Sequence, residues 1–440
     1  MMNLWGLDNP NSIYTEALLF MKFKQSDKQN QRIEKITTDH LIIGIDIAKF
    51  SHVARAVDFR GIERGHYLAF SNDHIGFKAL FQWIQALMDQ HHKTKVLIGV
   101  EPTGHYWLNL AFWLQERQLE LVLVNPFHVK RNKENRDNSP TKNDVKDALV
   151  IADMVKNGYY SKVRMLPESY REIRQLVHAR EFILKQSGAV KNQIHRWVDM
   201  HFPELGLVFK DVTCKTALAT LALFPLPSDI RDLSPTFIVS QWKKKLKRAS
   251  LSTAKALIES AKRSTGLPGC SMSSKVCVHL LLSQLDFFQQ QLAELEEKLG
   301  AQIQLIPTTP SLRTFKGISD MTLATLYSEA GDLRQFQHGS QLLRLAGLHL
   351  SENSSGLRKG EVTITKRGRP GLRRILFLTV LHLVAANPEF KALHEHNKHV
   401  KKMKGMQSLM KLCGKLARIL VALAKDNQTY LPEKVKTLAA

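Results

Sequence analysis

The sequence predicts an α/β N-terminal domain, a helical middle with coiled-coil character, and a mainly helical C-terminal domain. Three observations carry this reading. Short runs of branched apolar residues alternate with helix-period segments between residue 41 and about residue 160. A seven-residue apolar repeat runs from Val278 to Leu299. From Pro307 onward, helical segments are interrupted by glycine-bearing turns and a dense basic stretch. The boundaries that follow are a leader at 1–40, the α/β domain at 41–160, a helical segment at 161–306 and a last domain at 307–440. A chain of 440 residues has room for two or three domains.

Leu41–Ala48 is a branched apolar run of the kind that forms a strand buried on both faces. Val53–Asp58 is a second strand, followed by the turn Arg60-Gly61, and Tyr67–Phe70 completes a meander. Phe77, Leu80, Trp83, Ile84 and Leu87 recur at helical spacing. The strand Lys95–Val100 leads through Pro102-Thr103-Gly104 into an aromatic helix with Tyr106, Trp107, Leu110 and Trp113. Leu121–Val124 is a further strand and Val145–Val155 a closing helix. Three hairpin-type strands followed by strand–helix alternation is the order of the ribonuclease-H-like fold.

Residues 168–200 form one long amphipathic helix, with Ile173, Leu176, Ile183, Val190, Ile194 and Trp197 near a 3.5-residue period. Val278, Leu281, Leu285, Phe288, Leu292, Leu295 and Leu299 keep a stricter heptad, as in a coiled-coil seam. Two outcomes are open: a dimerising coiled coil, or an intramolecular bundle in which 168–200 is the partner. Between them lies a basic helix, Trp242-Lys243-Lys244-Lys245-Leu246-Lys247-Arg248. Such a run is most often a solvated face, although here Lys243 and Lys244 are candidate phosphate contacts. Phe315-Lys316-Gly317-Ile318-Ser319 and the helix after it resemble a helix-hairpin-helix, whose turn offers backbone N–H groups to a phosphate. A polar loop, Ser351 to Gly356, precedes a basic segment with Arg358, Lys359, Lys366, Arg367, Arg369, Arg373 and Arg374. Two helices are expected to finish the chain, with Lys401, Lys402 and Lys404 between them.

Charge narrows the partners. Lys and Arg number 63 against 40 Asp and Glu, a formal net charge of +23, which favours a nucleic acid over a membrane. No apolar run reaches spanning length, and Ile375–Ala386 reads as a core helix interrupted by His382. The leader lacks the apolar core of a signal peptide, and Met21 is an alternative start. Cys214, Cys270, Cys277 and Cys413 show neither a CxxC pair nor zinc spacing, so free thiols in a reducing cytoplasm are expected.

The chemistry lies in four acids. Asp46 interrupts a buried strand, where a carboxylate is costly without a partner. Glu101 closes a second strand, and Asp144 and Asp147 stand three apart at a helix start, on one side. Asp144 alone could be serving the helix dipole. Together the four suit Mg²⁺ or Mn²⁺, which take hard oxygen ligands, and paired ions could clamp a phosphodiester. Ser354-Ser355-Gly356 would be an ordinary turn but for the basic segment downstream. A serine hydroxyl needs activation, and no local Ser-His-Asp set is visible, so activation by metal or by a phosphate clamp from another domain is the simpler idea.

Gly44-Ile45-Asp46-Ile47-Ala48-Lys49, Glu101-Pro102-Thr103-Gly104, Lys142-x-Asp144-x-x-Asp147-Ala148, and Ser355-Gly356 with Thr365-Lys366-Arg367-Gly368 occur in that order. This set resembles the DEDD insertion-sequence transposases of the IS-110 class, described as bridge-RNA-guided recombinases. The resemblance covers residues 41 to about 160 and about 307 to 390. It departs at Leu350, where the family usually has proline, and in the length of the leader. The resemblance implies that Asp46, Glu101, Asp144 and Asp147 form a RuvC-like metal quartet. It further implies that Ser355 is the nucleophile that links covalently to DNA, with Ser354 and Ser351 as rivals. It also implies donor and target DNA and a structured non-coding guide RNA as partners; a homo-oligomer is expected as well. Lys366, Arg367 and Arg373 are expected to contact nucleic acid. Two other readings stand beside this one: a hydrolytic RuvC-like nuclease with a structural Ser355, and a non-catalytic nucleic-acid-binding protein.

Overall fold

The computed structural model describes residues 27–136, 143–269, 271–352 and 362–433. Compact packing divides the chain into two units between Met165 and Leu166. The first is built on a mixed six-stranded sheet in the order β3-β2-β1-β4-β5-β6. Its strands are β1 (His40–Ile47), β2 (Ser51–Val57), β3 (Leu68–Ser71), β4 (Lys95–Val100), β5 (Glu120–Val124) and β6 (Tyr160–Lys162). The first three form the expected antiparallel meander, β1, β4 and β5 are parallel, and β6 returns antiparallel to β5.

The helices of this unit are α1 (27–34), α2 (His74–Gln90), α3 (Leu108–Glu116), α4 (Pro126–Arg136) and α5 (Asp144–Lys156). Strand alternation sorts β1 between two cores. Leu41, Ile43, Ile45 and Ile47 join Phe77, Leu80, Ile84 and Leu87 of α2 and Leu110, Trp113 and Leu114 of α3. On the other face Ile42 joins Val150, Ile151 and Val155 of α5. Burial on both faces explains why the strand is a continuous apolar run.

Three elements were not expected. β6 is too short to show alternation, and α4 is largely charged, with Val129 its contribution to the core. Within the supposed leader, α1 docks on the end of α5, where Gln29 donates to the Asn157 carbonyl at 3.1 Å and Arg32 lies over the Tyr160 ring. The aromatic helix starts later than its pattern suggests: Tyr106 and Trp107 precede α3, after a turn in which Gly104 has φ 54°.

The second unit is organised by two long helices, α6 (Glu168–His201) and α11 (Ser271–Gln304). They pair antiparallel within the chain. Trp197 donates Nε1–H to the Ser274 carbonyl at 3.1 Å, Arg180 pairs with Glu296 at 2.6 Å, and Tyr170 and Ile173 share a core with Leu299 and Ile303. Val278, Leu285 and Leu299 of the heptad are buried in this way. One end of the pair holds a small helical core built with α7 (Leu205–Val208), α8 (Lys215–Leu223), α9 (Pro235–Lys243) and α10 (Leu251–Lys262). Trp242 fixes α9 there by burying its ring and donating Nε1–H to Thr220 Oγ1 at 3.1 Å. The expected basic helix is corrected: α9 ends at Lys243, so the remaining cations lie in the connection to α10, which Ser250 caps. Leu246 is the lone apolar residue between Trp242 and Ala249, too little to hold another helical turn against the core.

The other end meets α12 (Thr309–Arg313), α13 (Asp320–Ala330), α14 (Gly339–Leu345), α15 (Pro370–Ala386), α16 (Pro388–His399) and α17 (Gly405–Asp426). Between α12 and α13, Gly317 takes φ 102° and a Cβ there would press on Leu383, so the expected hairpin turn needs glycine. Three helices, not two, finish the described chain, because Asn387 caps α16 and Pro388 begins it. Leu376, Val380 and Leu383 of α15 are buried, consistent with a core helix. Among the described residues no single helix is long and apolar enough to cross a membrane.

Candidate active site

By strand alternation Asp46 lies on the α5 side of the sheet, and Glu101 directly follows β4. Asp46 shares the alternation of Gly44, and the parallel register pairs Gly44 with Gly99 and Ile45 with Val100. A Cβ on Gly44 would collide with the Ala148 carbonyl oxygen and the Ala152 backbone nitrogen, and one on Gly99 with Val155. This pair of glycines lets α5 lie directly on β1 and β4. Close approach brings the start of α5 to Asp46. Asn143 caps that start, its side chain accepting from the Val145 N–H at 3.0 Å.

The result is one group of acids. Asp46, Asp144 and Asp147 each offer a carboxylate oxygen, and these oxygens lie within 4.8 Å of one another. Asp144 is exposed, Asp46 half-buried and Asp147 buried, so the cluster opens to solvent on one side. Three hard oxygen donors and no sulfur or nitrogen fit a divalent cation of the Mg²⁺ or Mn²⁺ kind. Glu101 is not in this group; it directly follows β4, whose last residue, Val100, pairs with Ile45, the residue before Asp46.

Two neighbouring side chains show what the fold does with groups used for structure. Asp58 is buried and takes ion pairs from Arg64 at 2.7 Å and Arg60 at 3.1 Å. Burial opposes its ionised form, but hydrogen bonds from Arg64, the Ile62 N–H and Arg60 outweigh that and hold its carboxyl far below the ordinary value. His52 is wholly buried, with its ring centroid 5.3 Å from that of Phe70 and its Nδ1 accepting the Ala48 N–H at 3.3 Å. Burial pushes its pKa below 6.5, so it is a neutral pin across the end of β1.

Ser355 and Ser354 fall outside the described residues, as do Lys142, Arg358 and Lys359. The strands that flank this segment are described. β7 (Leu350–Glu352) and β8 (Val362–Ile364) form an antiparallel hairpin in which Glu352 faces Val362. Ser351 is therefore an exposed strand residue opposite Thr363, not a loop residue. The base of the hairpin is tied down by the Thr365 N–H to the His349 carbonyl and the Lys366 N–H to the Gly347 carbonyl, both at 3.0 Å. Gly347 takes φ 68°, and a Cβ on it would stand 2.9 Å from the Arg367 carbonyl carbon. The Thr365–Gly368 motif thus fixes the base of the hairpin.

The expected nucleic-acid residues differ in what they do. Lys366 and Arg367 are exposed. Arg373 donates Nη1–H to the carbonyl oxygens of Ala346 at 2.9 Å and Lys366 at 3.1 Å, so that arm of its guanidinium closes the hairpin base. Lys243 and Lys244 are exposed, and neither makes an ion pair among the described residues. Motif reading missed Gly44 and Gly99 as positioning residues. Their signal was present: each stands two residues before an acid.

Residues 43–203, which include all four acids, match a transposase family model of the IS110 DEDD type. Residues 310–395, which include the hairpin, match the transposase IS116/IS110/IS902 family. The chain is 23% identical over 292 residues to an insertion element IS110 uncharacterized 43.6 kDa protein of Streptomyces coelicolor, covering 66% of this chain and 72% of that one. It is 24% identical over 394 residues to the pilin gene-inverting protein of Moraxella bovis, covering 88% of this chain and 97% of that one. With the transposase for insertion sequence element IS1111A of Coxiella burnetii it shares 27% identity over 159 residues, 36% of this chain and 41% of the other. A sheet domain with converging acids, matched in this way along both units, is that of a DNA transposase. The chain belongs to the IS110 family of transposases.

Proposed function

We propose that this transposase excises and inserts its mobile element by DNA strand transfer that depends on Ser355 and on a divalent cation held by Asp46, Asp144 and Asp147, with Glu101 beside them. The convergence of three carboxylates within 4.8 Å is the observation that carries this reading. A bound Mg²⁺ or Mn²⁺ would supply charge stabilisation to a phosphodiester. Asp147, buried at the helix start, fixes the site, and Asp144 closes it from the exposed side.

Ser355 supplies the step that water cannot. Its Oγ forms a bond to phosphorus as a DNA P–O bond breaks; the departing strand keeps its oxygen, and the serine hydroxyl proton passes to that oxygen by way of solvent. The ester so formed conserves the bond needed for rejoining, so exchange runs without an external energy source. Inversion, the role in the name of the Moraxella bovis relative, requires the same conservation. In this reading Lys366 and Arg367 contact the DNA backbone, and a structured non-coding RNA selects donor and target by base pairing.

A suicide DNA substrate tests the serine. Wild-type protein yields a denaturant-resistant adduct that maps to Ser355, and Ser355→Ala loses both adduct and recombination. An adduct on Ser354 or Ser351 moves the nucleophile and keeps the mechanism. Normal cleavage by Ser355→Ala with no wild-type adduct gives the case to a hydrolytic nuclease.

A further inference from the structure

Asn72 stands half-buried at the corner between β3 and α2. The corner is held on both sides. Ser71 pairs with Ser51 across β3 and β2, and Asp73 caps α2, accepting from the Gly76 N–H at 2.8 Å and from the Ser71 hydroxyl at 2.7 Å. A Cβ on Gly76 would collide with the Ser71 carbonyl oxygen, so α2 starts directly on the end of β3. From this corner the Asn72 backbone N–H donates to the Phe50 carbonyl at 2.9 Å. Its side-chain Nδ2 donates to the Lys49 carbonyl at 3.2 Å and to the Tyr106 carbonyl at 3.3 Å.

Those carbonyls belong to the segments that leave the two strands leading to Asp46 and Glu101. Lys49 comes three residues after Asp46, and Tyr106 five after Glu101. The ladder between β1 and β4 stops at the pair Ile45–Val100, and the Asn72 amide reaches both chains beyond that point. Two carbonyl acceptors can be met only by the amide nitrogen, which fixes the orientation of the side chain. The same orientation leaves Asn72 Oδ1 buried, with no hydrogen-bond partner among the described residues. An unpaired buried amide oxygen is costly, and a residue that merely filled the corner would not need to bear that cost. The bridge between the two segments accounts for it.

We propose that Asn72 is a positioning residue for the cation site. Its amide holds the segment after Asp46 and the segment after Glu101 at one separation, so that the two carboxylates keep a fixed spacing. Asn72 acts through these acids and touches neither cation nor DNA. The inference rests on the proposed cation at Asp46, Asp144 and Asp147. Groups that orient a metal's ligands without touching the metal commonly carry roughly 10- to 100-fold of its affinity or of the activity.

Full-length wild type, Asn72→Asp and Asn72→Ala test this. Asn72→Asp keeps the shape of the side chain and removes its donor, and both variants keep the backbone bond to Phe50. Hydrogen exchange of the metal-free protein, followed by mass spectrometry, should quicken in peptides spanning 48–52 and 102–108 and stay at the wild-type rate in α2. Mn²⁺ affinity measured by electron paramagnetic resonance should fall roughly 10- to 100-fold, with a broadened spectrum for the ion that still binds. In Mg²⁺-dependent cleavage kcat should fall by a similar factor while the KM for DNA is unchanged, a split that general loosening of the domain does not give. Should Asn72→Asp melt early because its carboxylate faces two carbonyls, Asn72→Ala gives the same three readouts. Wild-type Mn²⁺ affinity and kcat in the folded variants overturn the proposal, whether or not exchange quickens. Asp46→Ala separates this result from failure of the site itself. If Asp46→Ala loses Mn²⁺ and cleavage while the Asn72 variants keep both, the positioning role falls alone. If Asp46→Ala binds Mn²⁺ and cleaves as wild type does, the cation reading falls and Asn72 has no cation site to position.

Discussion

The acid cluster of the first unit and the cationic surfaces of the second handle charge in opposite ways. Asp46, Asp144 and Asp147 come from positions nearly a hundred residues apart in sequence, yet their oxygens meet within 4.8 Å. That convergence is bought by backbone: Gly44 and Gly99 remove two side chains so that α5 can reach the sheet. The side chains of Lys366, Arg367, Lys243 and Lys244 are exposed. A metal site requires every donor at one point, whereas a polyanion track requires only density of positive charge at a surface. The first should therefore be sensitive to small changes in packing, and the second to charge count.

The contrast can be broken most sharply at Gly44. Gly44→Ala places a methyl group against the Ala148 carbonyl, and overpacking of this kind costs about 1–3 kcal/mol. Thermal melting should show that loss, and Mg²⁺-dependent cleavage should fall by far more than DNA affinity, because α5 carries two of the three acids. Cleavage retained at the wild-type level in a destabilised Gly44→Ala would show that the acids tolerate displacement.

A smaller effect separates the cations from one another. Lys366→Gln/Arg367→Gln should flatten the salt dependence of DNA binding by roughly 0.9 for each phosphate no longer neutralised, and leave the melting temperature near wild type. Arg373→Gln should instead lower the melting temperature by removing the bonds to Ala346 and Lys366. Equal behaviour of the two variants would erase the distinction between surface charge and hairpin support.

The smallest effect is a pH dependence. Buried His52 has a folded-state pKa below 6.5. As pH falls through 6.5, the unfolded chain takes up a proton that the folded chain does not, so stability is lost toward acid. The slope contributed by this one group approaches about 1.4 kcal/mol per pH unit. His52→Gln should flatten the urea-derived stability profile below pH 6.5; an unaltered profile would show that His52 is protonated in the fold.

Much of this was legible in the sequence because burial writes itself into pattern. Both faces of β1 are covered, so Leu41–Ile47 reads as one apolar run, and Asp46 stands out against it. The heptad of α11 was equally plain, but a repeat does not say whether its partner is another chain or, as found, α6. Elements that bury little left little trace: β6 is a three-residue strand, and α4 brings Val129 to the core from a largely charged sequence. At the hairpin, Thr365–Gly368 read as part of a basic segment, while its backbone bonds to Gly347 and His349 show it as a clamp.

In the proposed site the three acids hold a divalent cation required for DNA cleavage. Mn²⁺ binding followed by electron paramagnetic resonance, paired with a Mg²⁺ cleavage assay, tests it most directly. Wild type should bind Mn²⁺ and cleave, and Asp46→Ala and Asp147→Ala should each lose both while keeping DNA affinity. Variants that bind Mn²⁺ and cleave as well as wild type would show that these acids hold no catalytic cation.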